Sequence, residues 1–207
     1  MSGFASAHHV LTFGAAGARG QTAAITALLE RHGAYIEEFT VFDDVLSGRF
    51  YLRTAFRLVE PGATALATMG REYEALRAHY ADAEGAIHDL QRPMRVLLMV
   101  SKADHCLRGL LDQWRRGELK MDIVGIASNH ADLAPLAAAE GLPYHHLPIT
   151  PDTKPQQEAA LSRLIESSGA ELVVLARYMQ VLSAEMCTRL AGRVINIHHS
   201  FLPGFKG

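Results

Sequence analysis

The sequence of 207 residues has little cysteine, little net charge and no long apolar run, and each shortage excludes a class of protein. Two cysteines, Cys106 and Cys187, cannot build a disulfide framework, which favours a reducing cytoplasm. A net charge of -2 gives no general attraction to nucleic acid or to an anionic membrane. Apolar runs such as residues 96–100 are too short to cross a bilayer, and the N-terminus lacks the pattern of a secretory signal. We therefore expect a cytoplasmic protein without nucleic-acid or membrane partners.

The remaining composition is that of an ordinary globular protein. Hydrophobic residues make up 49% of the chain and charged residues 20%. Eleven histidines stand out, because imidazole transfers protons near neutral pH. The length suits one large domain or two small ones, and two patterns of secondary structure follow each other along the chain.

The first pattern predicts six elements in the order β-α-β-β-α-β. Apolar residues recur at helical spacing in two segments, and alternating segments on either side of Ser47-Gly48 indicate a hairpin. This order is the split βαβ arrangement of a ferredoxin-like domain. The two helices are predicted over residues 22–32 and 62–83.

The second pattern begins at Arg92-Pro93, which we interpret as the boundary between domains 1–92 and 93–207. Residues 94–101 form a continuous apolar strand, as expected when both faces of a parallel sheet are covered. Strands and helices then alternate to the end of the chain. Such alternation predicts right-handed βαβ units and an open, mostly parallel, Rossmann-like α/β sheet.

The last predicted strand carries two polar residues on one face, Asn196 and His198. Ligands of open α/β sheets bind at the carboxyl ends of the strands. An imidazole there can transfer a proton, and a carboxamide can donate a hydrogen bond to a growing oxyanion. For an Asn-x-His pair taken alone, two satisfied polar residues at a strand end remain the better explanation.

A longer motif around this pair favours a functional role instead. The segment "NIHHSFLPGFKG" resembles the Asn-Ile-His-x-Ser-x-Leu-Pro signature of the formyltetrahydrofolate-dependent formyltransferase superfamily. The resemblance extends back through "RVLLMVSKADHC", "DIVGIASNH", "LPYHHLPIT" and "ELVVLARYMQVLS". Together with the first domain, it is similar to the formyltetrahydrofolate deformylase family, in which an amino-acid-sensing ACT domain precedes a formyltransferase-like domain. The activity that this implies is hydrolysis of 10-formyltetrahydrofolate in one-carbon metabolism and purine biosynthesis.

The resemblance also implies roles for individual residues. Asn196 would stabilise the oxyanion, and His198 would donate or accept the proton. The segment "LARYMQVLS" corresponds to the loop that lines the pteridine site, so backbone contacts and apolar walls would come from Arg177, Met179, Val181 and Leu182. Without the resemblance, "YMQVL" would be interpreted as the amphipathic start of a helix.

The choice between hydrolysis and transfer depends on the segment after the first strand of the second domain. Related glycinamide ribonucleotide formyltransferases have a glycine-rich loop there, which holds a phosphate of the acceptor. Here the segment is "SKADHC", without glycine, which favours water as the acceptor. Asp104 is a candidate helix cap. By the resemblance, His105 lies near the formyl group and His146 on the water side of the site.

The pairs His145-His146 and His198-His199 raise the question of zinc. Adjacent histidines on a strand point to opposite faces, and neither glutamate nor cysteine lies at ligand spacing beside them. We expect no metal and no other cofactor, since the folate is the substrate.

The chain departs from the family pattern in two places. The ACT loop that usually reads Asp-Arg-Pro-Gly-Ile has glycine in place of the acidic residue and Gln21 in place of isoleucine, which puts effector binding in doubt. The family's third catalytic residue is an aspartate in a later loop, beyond Gly207. We therefore expect the second domain to be truncated at its C-terminus, the chain to be part of a longer protein, and a product of this length to have little activity.

Two alternative functions remain open on the sequence alone. One is transfer of the formyl group to a small amine, and the other is a non-catalytic ACT-type sensor with a degenerate folate site. The resemblance further implies an amino-acid effector at the ACT domain, and edge-to-edge association of ACT domains into a homo-oligomer.

Overall fold

The computed structural model describes residues 8–59, 63–150 and 152–196. The chain divides into two compact units, residues 1–92 and 93–207. In the described residues each unit has its own sheet, one of four strands and one of five. None of the described helices has both the length and the apolar character that crossing a membrane requires.

The first unit has the element order βαββαβ, as predicted. Its antiparallel sheet has the strand order β2-β3-β1-β4. The assignment of this unit to a regulatory ACT domain stays a prediction. The elements are β1 (His9–Ala16), α1 (Gln21–Arg31), β2 (Ala34–Asp44), β3 (Arg49–Leu58), α2 (Ala63–Arg77) and β4 (Ile87–Asp89).

The core of the first unit lies between one face of the sheet and the two helices. Strand residues that alternate along β1 and β3 pack against apolar residues of α1 and α2, as the two periodicities require. Complete burial of a Leu, Ile, Phe or Met side chain contributes about 1.5–3 kcal/mol to the free energy of unfolding. Fully buried members include Leu11, Ile25, Leu28, Phe56 and Met69.

One prediction about the first unit is confirmed and another is wrong in detail. The hairpin predicted around Ser47-Gly48 joins β2 to β3, and its loop spans residues 45–48. Asp44 closes this loop by accepting hydrogen bonds from the Leu46 amide and the Ser47 hydroxyl, at 3.1 and 2.5 Å. Helix α2 ends at Arg77 rather than at residue 83, because turns follow and Asp82 adopts a positive φ of 53°.

Gln21 holds the β1–α1 loop with its side chain. Its side chain is buried, and its amide donates to the carbonyl of Ala16 at 2.7 Å. Its carbonyl oxygen accepts from the amide of Ala18 at 3.0 Å. Gly20, with φ at 85°, supplies the left-handed turn at the start of α1. The carboxamide therefore fastens the loop to the end of β1.

The second unit is an open α/β fold with a parallel sheet, as predicted, and its described residues form five strands in the order β7-β6-β5-β8-β9. The chain turns back across β5, so the switch in strand order falls between β5 and β8. The elements are β5 (Met94–Val100), α3 (His105–Arg115), β6 (Met121–Ser128), α4 (Ala134–Ala139), β7 (Tyr144–His146), α5 (Lys154–Ser168), β8 (Leu172–Leu175), α6 (Ala184–Arg189) and β9 (Val194–Asn196).

Apolar side chains cover both faces of the central strand of this sheet. Val96, Leu98 and Val100 pack on the α3/α4 side, whereas Leu97 and Met99 pack on the α5/α6 side. This two-sided burial is the physical reason for the continuous apolar run in β5. It also fixes the register of β5 against β6 and β8, so the carboxyl ends of these strands have defined positions.

Candidate active site at the carboxyl edge of the parallel sheet

Because the five strands of the second unit are parallel, their last residues meet at one edge, which we call the carboxyl edge. In the strand order β5 and β8 lie between β6 and β9. Ligands of open sheets bind at this edge, next to the switch in strand order. The last residues of the strands are Val100, Ser128, His146, Leu175 and Asn196.

Asn196 lies at the end of β9 and pairs with Leu175 of β8. Val194 packs on the α5/α6 core, so alternation along the strand places Asn196 on that same face and Ile195 on the other. Asn196 is exposed. Its carboxamide is therefore open to a ligand beside the segment that follows β8. His198 lies outside the described residues, and its role stays a prediction.

The segment after β8 is a loop, which we call the 176–182 loop. The alternative interpretation of "YMQVL" as the start of a helix is therefore wrong, because α6 begins only at Ala184. Ser183 caps that helix by accepting a hydrogen bond from the amide of Met186 at 3.1 Å. The serine thus stops the helix from extending back into the loop.

Three of the four side chains predicted to bind folate from this loop are free of the core. Met179 is 61% exposed and Val181 is 82% exposed. Arg177 is exposed as well, whereas Leu182 packs partly against the α5/α6 core. Exposure of Met and Val in a loop beside a polar strand end leaves an apolar surface available to a ligand.

Arg177 adopts a left-handed backbone conformation, with φ at 59°. This conformation costs a residue other than glycine about 1–2 kcal/mol, so the surrounding contacts must hold it. The neighbouring Ala176 amide donates to the carbonyl of Met99 at 2.8 Å, which fixes the start of the loop to β5. The turn at Arg177 then directs the chain across the carboxyl edge.

Two polar contacts, one buried and one half-buried, fasten the 176–182 loop and the residue after it to α5. Tyr178 is buried, and its hydroxyl accepts a hydrogen bond from the Gln157 side chain at 3.0 Å. Burial raises the pKa of Tyr178, which keeps the hydroxyl neutral. At the far end, the Glu158 carboxylate accepts from the amide of Ser183 at 2.8 Å. The loop is therefore fastened to α5, while the side chains of Arg177, Met179 and Val181 stay exposed.

A third contact holds the middle of the loop from the central strand. The Ser101 hydroxyl accepts from the amide of Met179 at 3.0 Å and donates to the Asn129 side-chain oxygen at 2.8 Å. Ser101 follows β5 and Asn129 follows β6, and both are buried. The side chains of Ser101 and Asn129 thus join the ends of β5, β6 and β8, which are neighbours in the sheet.

The loop between β5 and α3 does not form the phosphate cradle of a glycine-rich turn. Asp104 precedes α3, but its carboxylate makes no capping hydrogen bond, so the prediction of a cap is wrong. Instead it accepts a hydrogen bond from Arg108 at 2.6 Å, and this contact lowers the pKa of Asp104. His105 is the first residue of α3 and is exposed at the carboxyl edge.

His146 is the predicted site residue that the fold does not bring close to Asn196. It ends β7, which is separated from β9 by three strands. Four spacings between strands correspond to about 19 Å. His145 lies on the opposite face of β7, over Gly125. A Cβ added to Gly125 would lie 3.2 Å from the Nε2 atom of His145. Among the described residues, no group of three His, Cys, Asp or Glu is placed to hold a metal ion.

Sequence reasoning missed the residues that support the site. Ser101, Asn129, Gln157 and Tyr178 were not predicted, although each is buried and polar. The signal was available for the first two, because each follows an apolar strand within a residue or two. The contact between Gln157 and Tyr178 joins residues 21 positions apart, and no local pattern predicts it.

A family model described as "Formyl transferase" matches residues 94–207. A formyltetrahydrofolate deformylase from Corynebacterium is 44% identical over 96% of this chain and 69% of its own length. One from Mycobacterium tuberculosis is 39% identical over 91% of this chain and 60% of its own length. A crystal structure of the Burkholderia mallei deformylase superposes with a TM-score of 0.87 at 56% identity, covering 97% of this chain and 70% of that one.

The chain belongs to the formyltetrahydrofolate deformylase family. The predicted family and the predicted enzyme class, a hydrolase, are confirmed by these relatives. A phosphoribosylglycinamide formyltransferase from Coxiella burnetii, 28% identical with a TM-score of 0.51, covers only 56% of this chain and 56% of its own. Deformylases match both units, so neither transfer to an amine nor a non-catalytic sensor is favoured.

Proposed function

We propose that the protein hydrolyses 10-formyltetrahydrofolate to formate and tetrahydrofolate. The observation that carries this proposal is the match to deformylases across 96–97% of the chain, which includes both units. The loop between β5 and α3 supports water as the acceptor, since it has no glycine to bring its backbone close to a phosphate. The product formate would feed purine biosynthesis.

The proposed chemistry uses the end of β9. Water attacks the formyl carbon while His198 takes its proton, and the Asn196 carboxamide donates a hydrogen bond to the tetrahedral oxygen. The bond between carbon and N10 then breaks, and the proton passes to N10. Donors of this kind are worth about 10²–10³ in kcat where they have been removed from other enzymes.

The proposed folate site uses the 176–182 loop. The pteridine would lie against the apolar side chains of Met179, Val181 and Leu182, with hydrogen bonds from the loop backbone. Exposure of the first two supports this role, because an apolar ring buried against them gains about 25 cal/mol for each Å² removed from water. Arg177, on the same loop, would meet an anionic or carbonyl group of the substrate.

His105 and His146 would border the remainder of the site. His105, exposed at the first turn of α3, would lie near the formyl group, whereas His146, four strand spacings from Asn196, would lie at the far end of the carboxyl edge rather than beside the attacking water. We propose that neither metal nor organic cofactor takes part. A chelator such as EDTA is then expected to leave the rate of formate release unchanged.

We further propose that the first unit is an ACT domain that mediates self-association. Strand β2 lies at one edge of its sheet, with unpaired backbone groups along eleven residues. The side chains of Tyr35, Val41 and Phe42 are 44–61% exposed there. An amino-acid effector would dock in the hollow beside the β1–α1 loop, where Gly17, Arg19 and Asp43 meet.

The decisive experiment measures formate release from 10-formyltetrahydrofolate with no amine acceptor present, using the protein at its natural full length. We expect release in the wild type and its loss, by at least about 10²-fold, in Asn196→Ala and His198→Ala. Circular dichroism should show an unchanged fold in both variants. Formate release that requires an added amine would overturn the proposal, and near-normal rates in either variant would refute the assigned role.

A further inference from the structure

We propose that Ser101 and Asn129 are positioning residues that hold the 176–182 loop in the conformation that binds folate. The inference rests on the proposed function of that loop. Neither side chain is itself expected to touch the substrate, because Ser101 is 4% exposed and Asn129 is 8% exposed. Their effect would pass through the backbone of Met179.

The geometry forms one continuous chain of hydrogen bonds. The Met179 amide donates to the Ser101 hydroxyl at 3.0 Å, and that hydroxyl donates to the Asn129 oxygen at 2.8 Å. Because the Asn129 oxygen can only accept, the hydroxyl proton must point to it, and a lone pair is left facing the Met179 amide. Bonds linked in this way polarise and strengthen one another.

The contact holds the loop at its middle, where it fixes the backbone beside Tyr178, whose side chain is fastened to α5. The start of the loop bonds to β5 through Ala176, and its end bonds to Glu158 through Ser183. Between them, Arg177 has a left-handed backbone and Met179 directs its side chain into solvent. The Ser101 hydroxyl accepts from the Met179 backbone itself and, with the anchored Tyr178 before it, fixes the direction of the chain next to the apolar wall proposed for the pteridine.

Positioning of this kind affects ligand binding more than it affects folding. A loop that must be ordered upon binding lowers the affinity by the free energy of ordering it. Removing the Ser101 hydroxyl would leave the Met179 amide without its acceptor and allow the loop to sample other conformations. Affinity for the folate should then fall although the sheet beneath stays intact.

The test compares Ser101→Ala with Ser128→Ala in the full-length protein. Ser128 is a suitable control, because it is also buried at the carboxyl edge but its hydroxyl accepts from the His130 amide rather than from the loop. Binding of tetrahydrofolate is measured by isothermal titration calorimetry, with kcat and KM for formate release. We expect Ser101→Ala to raise both the Kd and KM about tenfold, and Ser128→Ala to change them less than twofold.

Asn129→Ala provides a second test that keeps the Ser101 hydroxyl. We expect a Kd about threefold higher than that of the wild type, because the hydroxyl loses its orientation. The double variant Ser101→Ala/Asn129→Ala should be no weaker than Ser101→Ala alone, since both changes act on one chain of hydrogen bonds. Additive losses would contradict that linkage.

The outcomes separate the inference from the proposed function. If the wild type neither binds tetrahydrofolate nor releases formate, the proposed function fails and the inference falls with it. If the wild type does both, and Ser101→Ala binds as tightly as Ser128→Ala, the inference alone is overturned. Should Ser101→Ala fail to fold, Asn129→Ala decides the question, and an unchanged Kd in that variant overturns it.

Discussion

Tyr73 shows how a single buried hydroxyl can link the stability of the first unit to pH. It is 1% exposed in α2, and its hydroxyl donates to the carbonyl of Thr12 in β1 at 2.6 Å. Burial raises the pKa of Tyr73 to about 12. The phenol is therefore held neutral in the folded state at a pH where an unfolded tyrosine would ionise.

The sign of the pH dependence follows from this shift. Below pH 10 both states are protonated, and the stabilisation is fully present. As the pH rises from 10 to about 12, the unfolded state loses its proton first, and about 2 kcal/mol of stability is lost. We expect the advantage of the wild type over Tyr73→Phe in free energy of unfolding to shrink over this range. A constant difference in urea denaturation from pH 8 to pH 12 would contradict the assignment.

The predictability of the site also varies residue by residue. Asn196 was predicted, because a carboxamide at a strand end within a long motif is a strong signal. Ser101 and Asn129 could be noticed as polar residues after apolar strands, but their contacts with each other and with Met179 arise only when β5, β6 and β8 become neighbours. Asp104 was given a capping role that its sequence position allows, but its carboxylate pairs with Arg108 instead.

At the scale of elements, the approach of β1 to the segment before β4 depends on a glycine. Gly85 has φ at 130°, and an added Cβ would lie 2.0 Å from the Thr12 oxygen and 2.7 Å from the Tyr73 hydroxyl. The Thr12 amide bonds to the carbonyl of Ala86 at 3.0 Å beside it. A side chain at this position would therefore separate β1 from the chain that leads into β4.

We expect Gly85→Ala to destabilise the first unit by about 3 kcal/mol, because backbone must shift to admit the methyl group. Gly70→Ala is the matched control. Gly70 lies in α2 with no atom within 4 Å of an added Cβ, so this change should stabilise by about 1 kcal/mol. Urea denaturation followed by far-UV circular dichroism measures both.

A second readout follows the second unit separately. The protein has one tryptophan, Trp114, and it lies in α3 of the second unit. Its fluorescence transition should therefore stay in place in both glycine variants. Equal stability of Gly85→Ala and the wild type would show that the contact is not needed for the fold.

Element types were predictable here because the periodicities are strong. The buried run of β5 and the alternation of β2 and β3 each have one physical explanation. Element ends were less predictable. Helix α2 ends at Arg77, and the chain that follows turns toward β1, where Glu84 forms an isolated bridge with Gly14.

At the scale of the whole molecule, the exposed edge strand β2 leads to a prediction about assembly. Phe42 is 61% exposed, and a charge there should oppose association of two copies along this edge. We expect Phe42→Glu to lower the oligomer mass measured by light scattering, whereas Leu90→Glu should not. Leu90 follows β4 at the opposite edge of the sheet and is 40% exposed. An oligomer unaffected by Phe42→Glu would exclude this edge as the interface.

The strand order of the parallel sheet has a kinetic consequence. The central strand β5 pairs with β6 soon after it in sequence, but its other neighbour is β8, from much later in the chain. Closing so long a loop slows folding, since chain entropy is lost before the contacts form. The edge of β5 that pairs with β8 therefore has no partner until β8 has been synthesised. Pulse-labelling hydrogen exchange should find the amides of β6 protected earlier than those of β8.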